Sequence, residues 1–297
     1  MRKERLMSRV AERLALQPFG THNVKSLDIV GDIAILKVAE PLEKDRFQLA
    51  QTVLDEAPSV KVVYRQIGPV SGDYRLKGLE WLAGERRSST IYREYGCQME
   101  VDVEKDYFSP RLAYERTRIS KQVCVFEARS RVGEIIINMF AGVGSFSLRI
   151  AKETKFSKIY SIDINSDAFL RMFRNVLANN MLNRIMCAYG DAVQIIHDLL
   201  RGKADRVLMP LPEKWLQYLT PALEALKPNG GLIHIQTFVH AKKNVDPVNA
   251  SSAQVREAFQ DLNCESVIEN ERIVRSVGPR WYQVAHDVKV TRKADTL

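Results

Sequence analysis

Cysteine is scarce in this chain and scattered. Cys97, Cys124, Cys187 and Cys264 are the four among 297 residues, and no two stand at the spacing of a zinc ribbon or a disulfide framework. They read as small buried apolar side chains. Histidine is as sparse, at five residues. His234 lies inside the apolar run Gly231-Leu232-Ile233-His234-Ile235, where a hydrogen-bonded core or strand-end histidine is the expectation, and no metal is predicted. No apolar run approaches the roughly 18 residues needed to cross a bilayer. The basic start Met1-Arg2-Lys3-Glu4-Arg5 leads into a charged helical pattern instead of a secretory apolar core. A cytoplasmic protein with no membrane partner is the expectation. Internal repeats and low-complexity segments are missing as well.

What is present is the composition of a globular enzyme, 45% hydrophobic and 27% charged. Lys and Arg outnumber Asp and Glu to give a net charge of +8 and a pI near 9.3. An excess of that sign concentrates polyanions at the surface, which makes nucleic acid the natural partner, although many solvated enzymes carry as much charge without one.

The length suits two domains, and the pattern changes character part-way. Residues 1–106 mix strands and helices without regular alternation: a helix from Arg5 to Leu16, a hairpin pattern over Ser26 to Val38 around Gly31-Asp32, a helix over 43–56, and strands at 60–65, 89–94 and 97–103. This is a small α+β domain. From residue 107 to 297 strand, turn and helix repeat. Strands at 134–138, 158–162, 185–189, 205–209 and 231–237 alternate with helices at 109–122, 145–153, 166–180, 192–201 and 213–226. A helix over 251–261 and an antiparallel pair near 265–274 and 281–290 close the chain. That grammar writes an α/β, Rossmann-like, doubly wound sheet.

Three β-branched residues, Ile135-Ile136-Ile137, run through Asn138 into Met139-Phe140-Ala141-Gly142-Val143-Gly144-Ser145-Phe146, a strand, a tight turn and a helix start. The next strand, Lys158 to Ile162, ends on Asp163-Ile164-Asn165, where an α/β nucleotide site holds ribose hydroxyls. The third glycine of a dinucleotide fingerprint is missing. The spacing fits an adenosine-containing cofactor with no pyrophosphate to cradle, S-adenosylmethionine being the commonest, while a strand, turn and helix with no ligand is the plain alternative. Ligands of open α/β sheets sit at the carboxyl ends of the strands, so Asn138, Asp163, Asp191 and the turn Met209-Pro210-Leu211-Pro212 are the candidates. Asp163 would meet ribose, and Asp191 with Ala192 would lie beside adenine; helix N-caps are the alternative for both aspartates. Glu115 and Arg116 fall on the helix that starts near Pro110, either as a solvated pair or with the glutamate facing the cofactor.

Five strings in order resemble the archaeal and eukaryotic tRNA (guanine-37-N1) methyltransferases: Leu27-Asp28-Ile29-Val30-Gly31-Asp32-Ile33-Ala34; Gly72-Asp73-Tyr74-Arg75-Leu76-Lys77-Gly78-Leu79-Glu80-Trp81-Leu82-Ala83-Gly84-Glu85; Tyr107-Phe108-Ser109-Pro110-Arg111-Leu112; Tyr114-Glu115-Arg116; and Met139-Phe140-Ala141-Gly142-Val143-Gly144. The resemblance covers nearly the whole chain. It implies a class I methyltransferase domain using S-adenosylmethionine, preceded by a small domain that docks tRNA. Arg116, Asp163, Ile164, Asp191 and Ala192 match the family's cofactor-binding positions, with Asn138, Phe140, Ala141 and Gly142 completing the set. Glu115 matches the general base and Arg75 the arginine that supports the reacting guanine. The implied reaction is methylation of guanine N1 at tRNA position 37, in the anticodon loop, by a monomer. Aminocarboxypropyl transfer and an idle tRNA-binding module are lesser readings, and the retained Glu115 counts against the former.

Two departures from the family bear on the acceptor. Pro210 stands where the family carries asparagine, in Pro210-Leu211-Pro212, so a side-chain acceptor is lost and a flat apolar ring gained. That change suits the branch methylating C7 of the tricyclic wyosine intermediate (4-demethylwyosine), alone or in addition. Asn138 stands where the family usually has Asp, which removes a charge near the sulfonium. Archaeal relatives often carry a further N-terminal module that senses the tRNA elbow, and this chain begins about where the second module does. Docking is then expected to fall to the small domain and a basic surface: Arg65, Arg75, Lys77, Arg86, Arg87, Arg93, Arg111, Lys214 and Arg280, with Phe108, Tyr107 or Trp81 as stacking platforms for a flipped base.

Overall fold

Residues 3–14, 24–38, 43–72, 74–262 and 264–291 are described by the structure, a computed structural model. The chain separates into two units, Met1–Pro110 and Arg111–Leu297. In the first, β1 (Val24–Val30), β2 (Ile33–Val38), β3 (Val62–Ser71) and β4 (Leu76–Gly84) form a sheet in that order. The β1–β2 hairpin turns at Gly31, whose φ is +57°. A Cβ there would lie 2.2 Å from Thr90 Oγ1 and 2.8 Å from the Ile91 carbonyl oxygen, so only glycine fits. Strands β2 and β3 are parallel and need a crossover, supplied by α2 (Arg46–Glu56). Leu49 and Val53 of α2 pack with Leu6 and Val10 of α1 (Lys3–Arg13) over Leu27, Leu36, Val63 and Leu82 of the sheet. Strands β5 (Ser89–Glu94) and β6 (Cys97–Asp102) make a separate hairpin.

The second unit opens with α3 (Ala113–Ser130) and continues with β7 (Ile135–Asn138), α4 (Ser145–Glu153), β8 (Lys158–Asp163), α5 (Ser166–Ala178) and β9 (Ile185–Tyr189). Then follow α6 (Ala192–Ile195) with a π-helical turn over 196–200, β10 (Arg206–Met209), α7 (Leu219–Ala225), β11 (Gly231–His240), α8 (Pro247–Asp261), β12 (Glu265–Gly278) and β13 (Trp281–Thr291). The sheet order is β12-β13-β11-β10-β7-β8-β9. From β11 to β9 the neighbours are parallel, and β13 is antiparallel to both β11 and β12. The strand order reverses between β7 and β10, the switch point where such sheets bind ligands. The central strands are short and apolar apart from Asn138 at the end of β7 and Arg206 at the start of β10, as strands covered on both faces tend to be: Ile136, Ile137, Val207 and Met209 are wholly buried.

Helix α7 is much shorter than the expected 213–226. Pro221, inside that span, has no N–H for the Gln217 carbonyl and its ring would clash there, so the helix starts just ahead of it with Pro221 in its first turn. Before that Trp215 packs into the core, and the segment proceeds through turns closed by Lys214 N–H to Leu211 O and Tyr218 N–H to Trp215 O, each 3.3 Å. Helix α8 starts earlier than expected because Asp246 caps it, accepting from Val248 and Asn249, with Pro247 in its first turn. The four cysteines are free, and only Cys97 is fully buried. Among the described residues no helix is long and apolar enough to cross a membrane.

Candidate active site

The turn after β7 is held to its neighbours by backbone hydrogen bonds. Met139 N–H donates to Leu208 O at 3.1 Å and Ala141 N–H to Ile162 O at 2.8 Å, while Gly142 and Gly144 take left-handed φ of +55° and +87°. Gly142 N–H donates to Asp163 Oδ2 and Asn165 N–H to Asp163 Oδ1, at 2.9 Å for the second, so the β8 carboxylate braces the turn. Asp191 caps α6 through Oδ1, which accepts from Val193 at 2.7 Å and Gln194 at 3.3 Å. It also lines a 490 Å³ pocket with Val193, Gln194, His197, Thr220, Pro221 and Glu224. Gly190 N–H bonds Asp163 O at 3.1 Å and ties this end of β9 to β8. Asn138 is fully buried: Nδ2 donates to Ser147 Oγ at 3.1 Å, Ser161 Oγ joins at 2.7 Å, and Oδ1 has no partner among the described residues. Phe140 stacks edge-on against Tyr218 at 4.8 Å. Ile164 and Val193 expose apolar surface, at 47% and 40%.

These strand ends therefore bring together Asn138, Phe140, Ala141, Gly142, Asp163, Ile164, Asp191 and Ala192. Half-exposed carboxylates able to accept from ribose hydroxyls and an exocyclic amine, apolar faces for a purine, and a buried orphan acceptor fit the adenosine, amino and sulfonium groups of S-adenosylmethionine. Both aspartates also do the capping or bracing work that was their alternative. Pro210, half-buried, follows β10 on the other side of the switch point.

Glu115 departs most from the plain expectation, since it is no solvated helix residue. On α3, Glu115, Arg116, Ile119, Ser120, Val123 and Glu127 are buried at helical spacing. Glu115 is 1% exposed and Arg116 wholly buried. Glu115 Oε2 accepts from Arg118 Nε at 3.0 Å, and Oε1 accepts from Arg272 Nη1 of β12. Arg118 also forks onto Asp287 of β13, with Nη2 at 2.9 Å. Asp287 accepts further from Gln122 Nε2 at 2.8 Å and from His234 Nδ1 at 2.6 Å. Arg206 Nη1 lies 2.6 Å from His234 Nε2, and Arg206 pairs with Glu134 at 2.9 and 3.0 Å. A guanidinium can only donate, so Nε2 is the acceptor and the ring is neutral with its proton on Nδ1. Burial, first of all, pushes the His234 imidazole down to about 4. Burial works against ionising Asp287, but the bonds from His234 and Arg118 outweigh it and hold the carboxyl well below the usual range. Sequence reasoning missed Arg118, Arg272 and Asp287. The Glu115, Ile119, Val123 spacing was the available sign that this face is buried.

In the first unit Arg75 is buried at φ +55°, its guanidinium 3.8 Å from the centre of the Tyr107 ring. Several expected RNA contacts are corrected. Phe108 is 5% exposed and packs edge-on against Tyr92, so it offers no stacking face. Arg65 is tied to Glu43 and Glu80, and Arg87 to Asp32 and Glu85. Trp81 already carries the Arg86 guanidinium, 3.5 Å from its ring centre. Arg86, Arg93, Arg111 and Arg280 are exposed.

A sheet with this reversal point, a braced glycine turn and carboxylates at the second and third strand ends defines a class I, S-adenosylmethionine-dependent methyltransferase. The chain belongs to the TRM5/TYW2 methyltransferase family: residues 90–266 match the TRM5/TYW2 methyltransferase domain and residues 21–87 the TYW2 N-terminal domain. It is 38% identical over 268 residues to the tRNA 4-demethylwyosine(37)-methyltransferase Taw21 of Saccharolobus solfataricus, covering 89% of this chain and 94% of that one. To the tRNA (guanine(37)-N(1))-methyltransferase Trm5b of Pyrococcus abyssi it is 33% identical over 266 residues, covering 90% and 75%. A solved complex of aTrm5 and tRNALeu superposes with a TM-score of 0.80 at 31% identity, covering 96% of this chain and 78% of that one.

Proposed function

We propose that this enzyme transfers the methyl group of S-adenosylmethionine to N1 of guanine at tRNA position 37. Glu115 carries the reading: a carboxylate 1% exposed, in the same unit as the strand ends that suit the cofactor. Asn138, Phe140, Ala141, Gly142, Asp163, Ile164, Asp191 and Ala192 would hold the cofactor, with Arg116 beneath. Bound there, the cofactor supplies a methyl group already activated on a sulfonium sulfur. Guanine N1 carries a proton near neutral pH, and Glu115 takes it, freeing the lone pair. Arg75 offers its guanidinium fork to O6, where negative charge develops, and the Tyr107 ring steadies that fork. The small domain docks the anticodon loop, helped by the net charge of +8, and the protein works as a monomer in the cytoplasm.

A second reading, methylation of C7 of 4-demethylwyosine at the same position, is favoured by the apolar Pro210 ring and by the likeness to Taw21. The protein should be incubated with S-adenosylmethionine and either tRNA carrying guanosine at position 37 or tRNA carrying 4-demethylwyosine there. Nucleoside mass spectrometry then reads the product. 1-Methylguanosine is expected from the first; product only from the second replaces the first reading with the second, and product from neither overturns both.

A further inference from the structure

We propose that Arg272 is an exchangeable placeholder on Glu115, which the acceptor base displaces before proton transfer; this rests on Glu115 being the proton acceptor at guanine N1. The two oxygens of Glu115 are held unequally. Oε2 is held by Arg118, whose side chain is 12% exposed and whose other nitrogens are fixed on Asp287. Oε1 is held by Arg272, whose side chain is 31% exposed and leans on the ring of Tyr114, 4.1 Å away and itself 63% exposed. Arg272 sits on the edge strand β12, and the pairing with β13 is irregular on both sides of it, between Ile268 and Asn270 and between Ile273 and Arg275. A bulged edge strand lets a side chain be re-aimed at little cost.

Each Glu115 oxygen keeps lone-pair capacity, but the side chain is 1% exposed beneath its two guanidiniums, so an incoming N–H has no open approach to it. One guanidinium must leave, and Arg272 is the one with the weaker anchorage. What replaces it is chemically alike. Guanine N1–H and its N2 amino group form a planar pair of donors, the same face that a guanidinium presents to a carboxylate. Arg272 thus spares a buried carboxylate from standing half-paired between turnovers, and gives way to a base bearing the same donor edge. The exchange is noncovalent, and the cost of breaking it appears in the apparent affinity for tRNA.

Arg272→Ala tests this, with transfer rates and tRNA affinity measured as guanidinium chloride is raised through the low millimolar range. The KM for acceptor tRNA and its Kd should fall by about two- to fivefold, the range of a partly exposed ion pair. Guanidinium should then compete with tRNA on the variant and leave the wild type unaffected. A tenfold loss of kcat/KM that guanidinium restores would mean that Arg272 works while seated on Glu115, and overturns the proposal. So does an unchanged KM with no response to guanidinium. Arg272→Lys, whose ammonium lacks the planar donor pair, serves if the alanine variant unfolds, with the same shift in KM expected. Glu115→Gln runs in parallel: full transfer by that variant overturns the base reading itself, a result distinct from any failure confined to Arg272.

Discussion

The carboxylates at the strand ends and the carboxylate on α3 are held by different means. Asp163 and Asp191 receive backbone N–H groups, from Gly142 and Asn165 in one case and from Val193 and Gln194 in the other. Glu115 receives two guanidiniums, one from three residues along its own helix and one from 157 residues away. Backbone donors are fixed once the turn forms and carry no net charge, and two of them do not exhaust the roughly four lone-pair sites of a carboxylate. Side-chain cations are charged and can be re-aimed, and Arg272 reaches Glu115 only because the whole sheet has assembled. The proposed cofactor cradle is therefore built before anything binds, whereas the proposed acceptor side is a charged assembly that can be rearranged.

Removing the α3 carboxylate is the most severe way to separate the two regions. Glu115→Gln should reduce methyl transfer by about a hundredfold to ten-thousandfold, the usual span for a general base. S-adenosylmethionine affinity, read by isothermal titration, should stay near that of the wild type because the cradle does not use residue 115. A large loss of cofactor affinity would show that the two regions are one site held in common.

Acid should separate them next. His234 and His286 are buried, and burial holds both imidazoles near 4 against an ordinary 6.5. Between those values the unfolded chain binds protons that the folded chain refuses, so stability falls as pH drops from about 6.5 toward about 4 and is unaffected above that window. The full shift is worth up to roughly 3 kcal/mol per histidine. Asp287, whose carboxyl is held well below its ordinary range, adds a further loss in stronger acid. Urea unfolding midpoints across this range should fall first, and His234→Gln should flatten the upper part of the slope.

The same contrast decides what could be read from sequence. The cradle is largely local: three isoleucines, two glycines at φ values that favour glycine, and aspartates that accept from amides two or three residues on, with Gly142, 21 residues from Asp163, the longer reach. Its strands stand within a residue or so of the expected bounds, and β9 matches them at both ends. The charged assembly is not local. Nothing near Glu115 announces Arg272 or Asp287, and only packing brings β12 and β13 to α3. The basic residues taught a related lesson, because a count of arginines does not reveal which are spent on neighbouring acids, as Arg65 and Arg87 are. Phe108 looked available in a polar string and is instead core. Helix α7 lost its first turns to Pro221, a breaker inside the expected span that was there to be read in the sequence.

Weakening the cradle should give a smaller effect than either. Asp163→Ala removes the acceptor offered to ribose and the brace on Gly142 together. Cofactor affinity should fall by about tenfold to a hundredfold, as for hydrogen bonds to a charged group, with tRNA retention unchanged. Asp163→Asn keeps the shape of the side chain but sets Nδ2 against one of the two N–H donors while Oδ1 still accepts from the other, so it should lie between wild type and alanine. If alanine and asparagine variants bind cofactor as the wild type does, Asp163 is a brace alone.

The smallest change lies at the turn after β10, which borders the switch point from the other side. Pro210 has neither a side-chain acceptor nor an N–H, so apart from its backbone carbonyl it can meet an acceptor base only through ring contact. Pro210→Asn would restore one acceptor and one donor at a half-buried position. A single neutral hydrogen bond is worth about 1 kcal/mol, so the ratio of transfer to guanosine over transfer to 4-demethylwyosine should rise by roughly fivefold. Competition between the two tRNAs in one reaction, read by nucleoside mass spectrometry, isolates that ratio from any general loss of activity. A ratio that does not move would place acceptor choice elsewhere than Pro210. The charged assembly around Glu115 would then be the part of the site left to discriminate, because it is the part whose donors can be exchanged for those of the base.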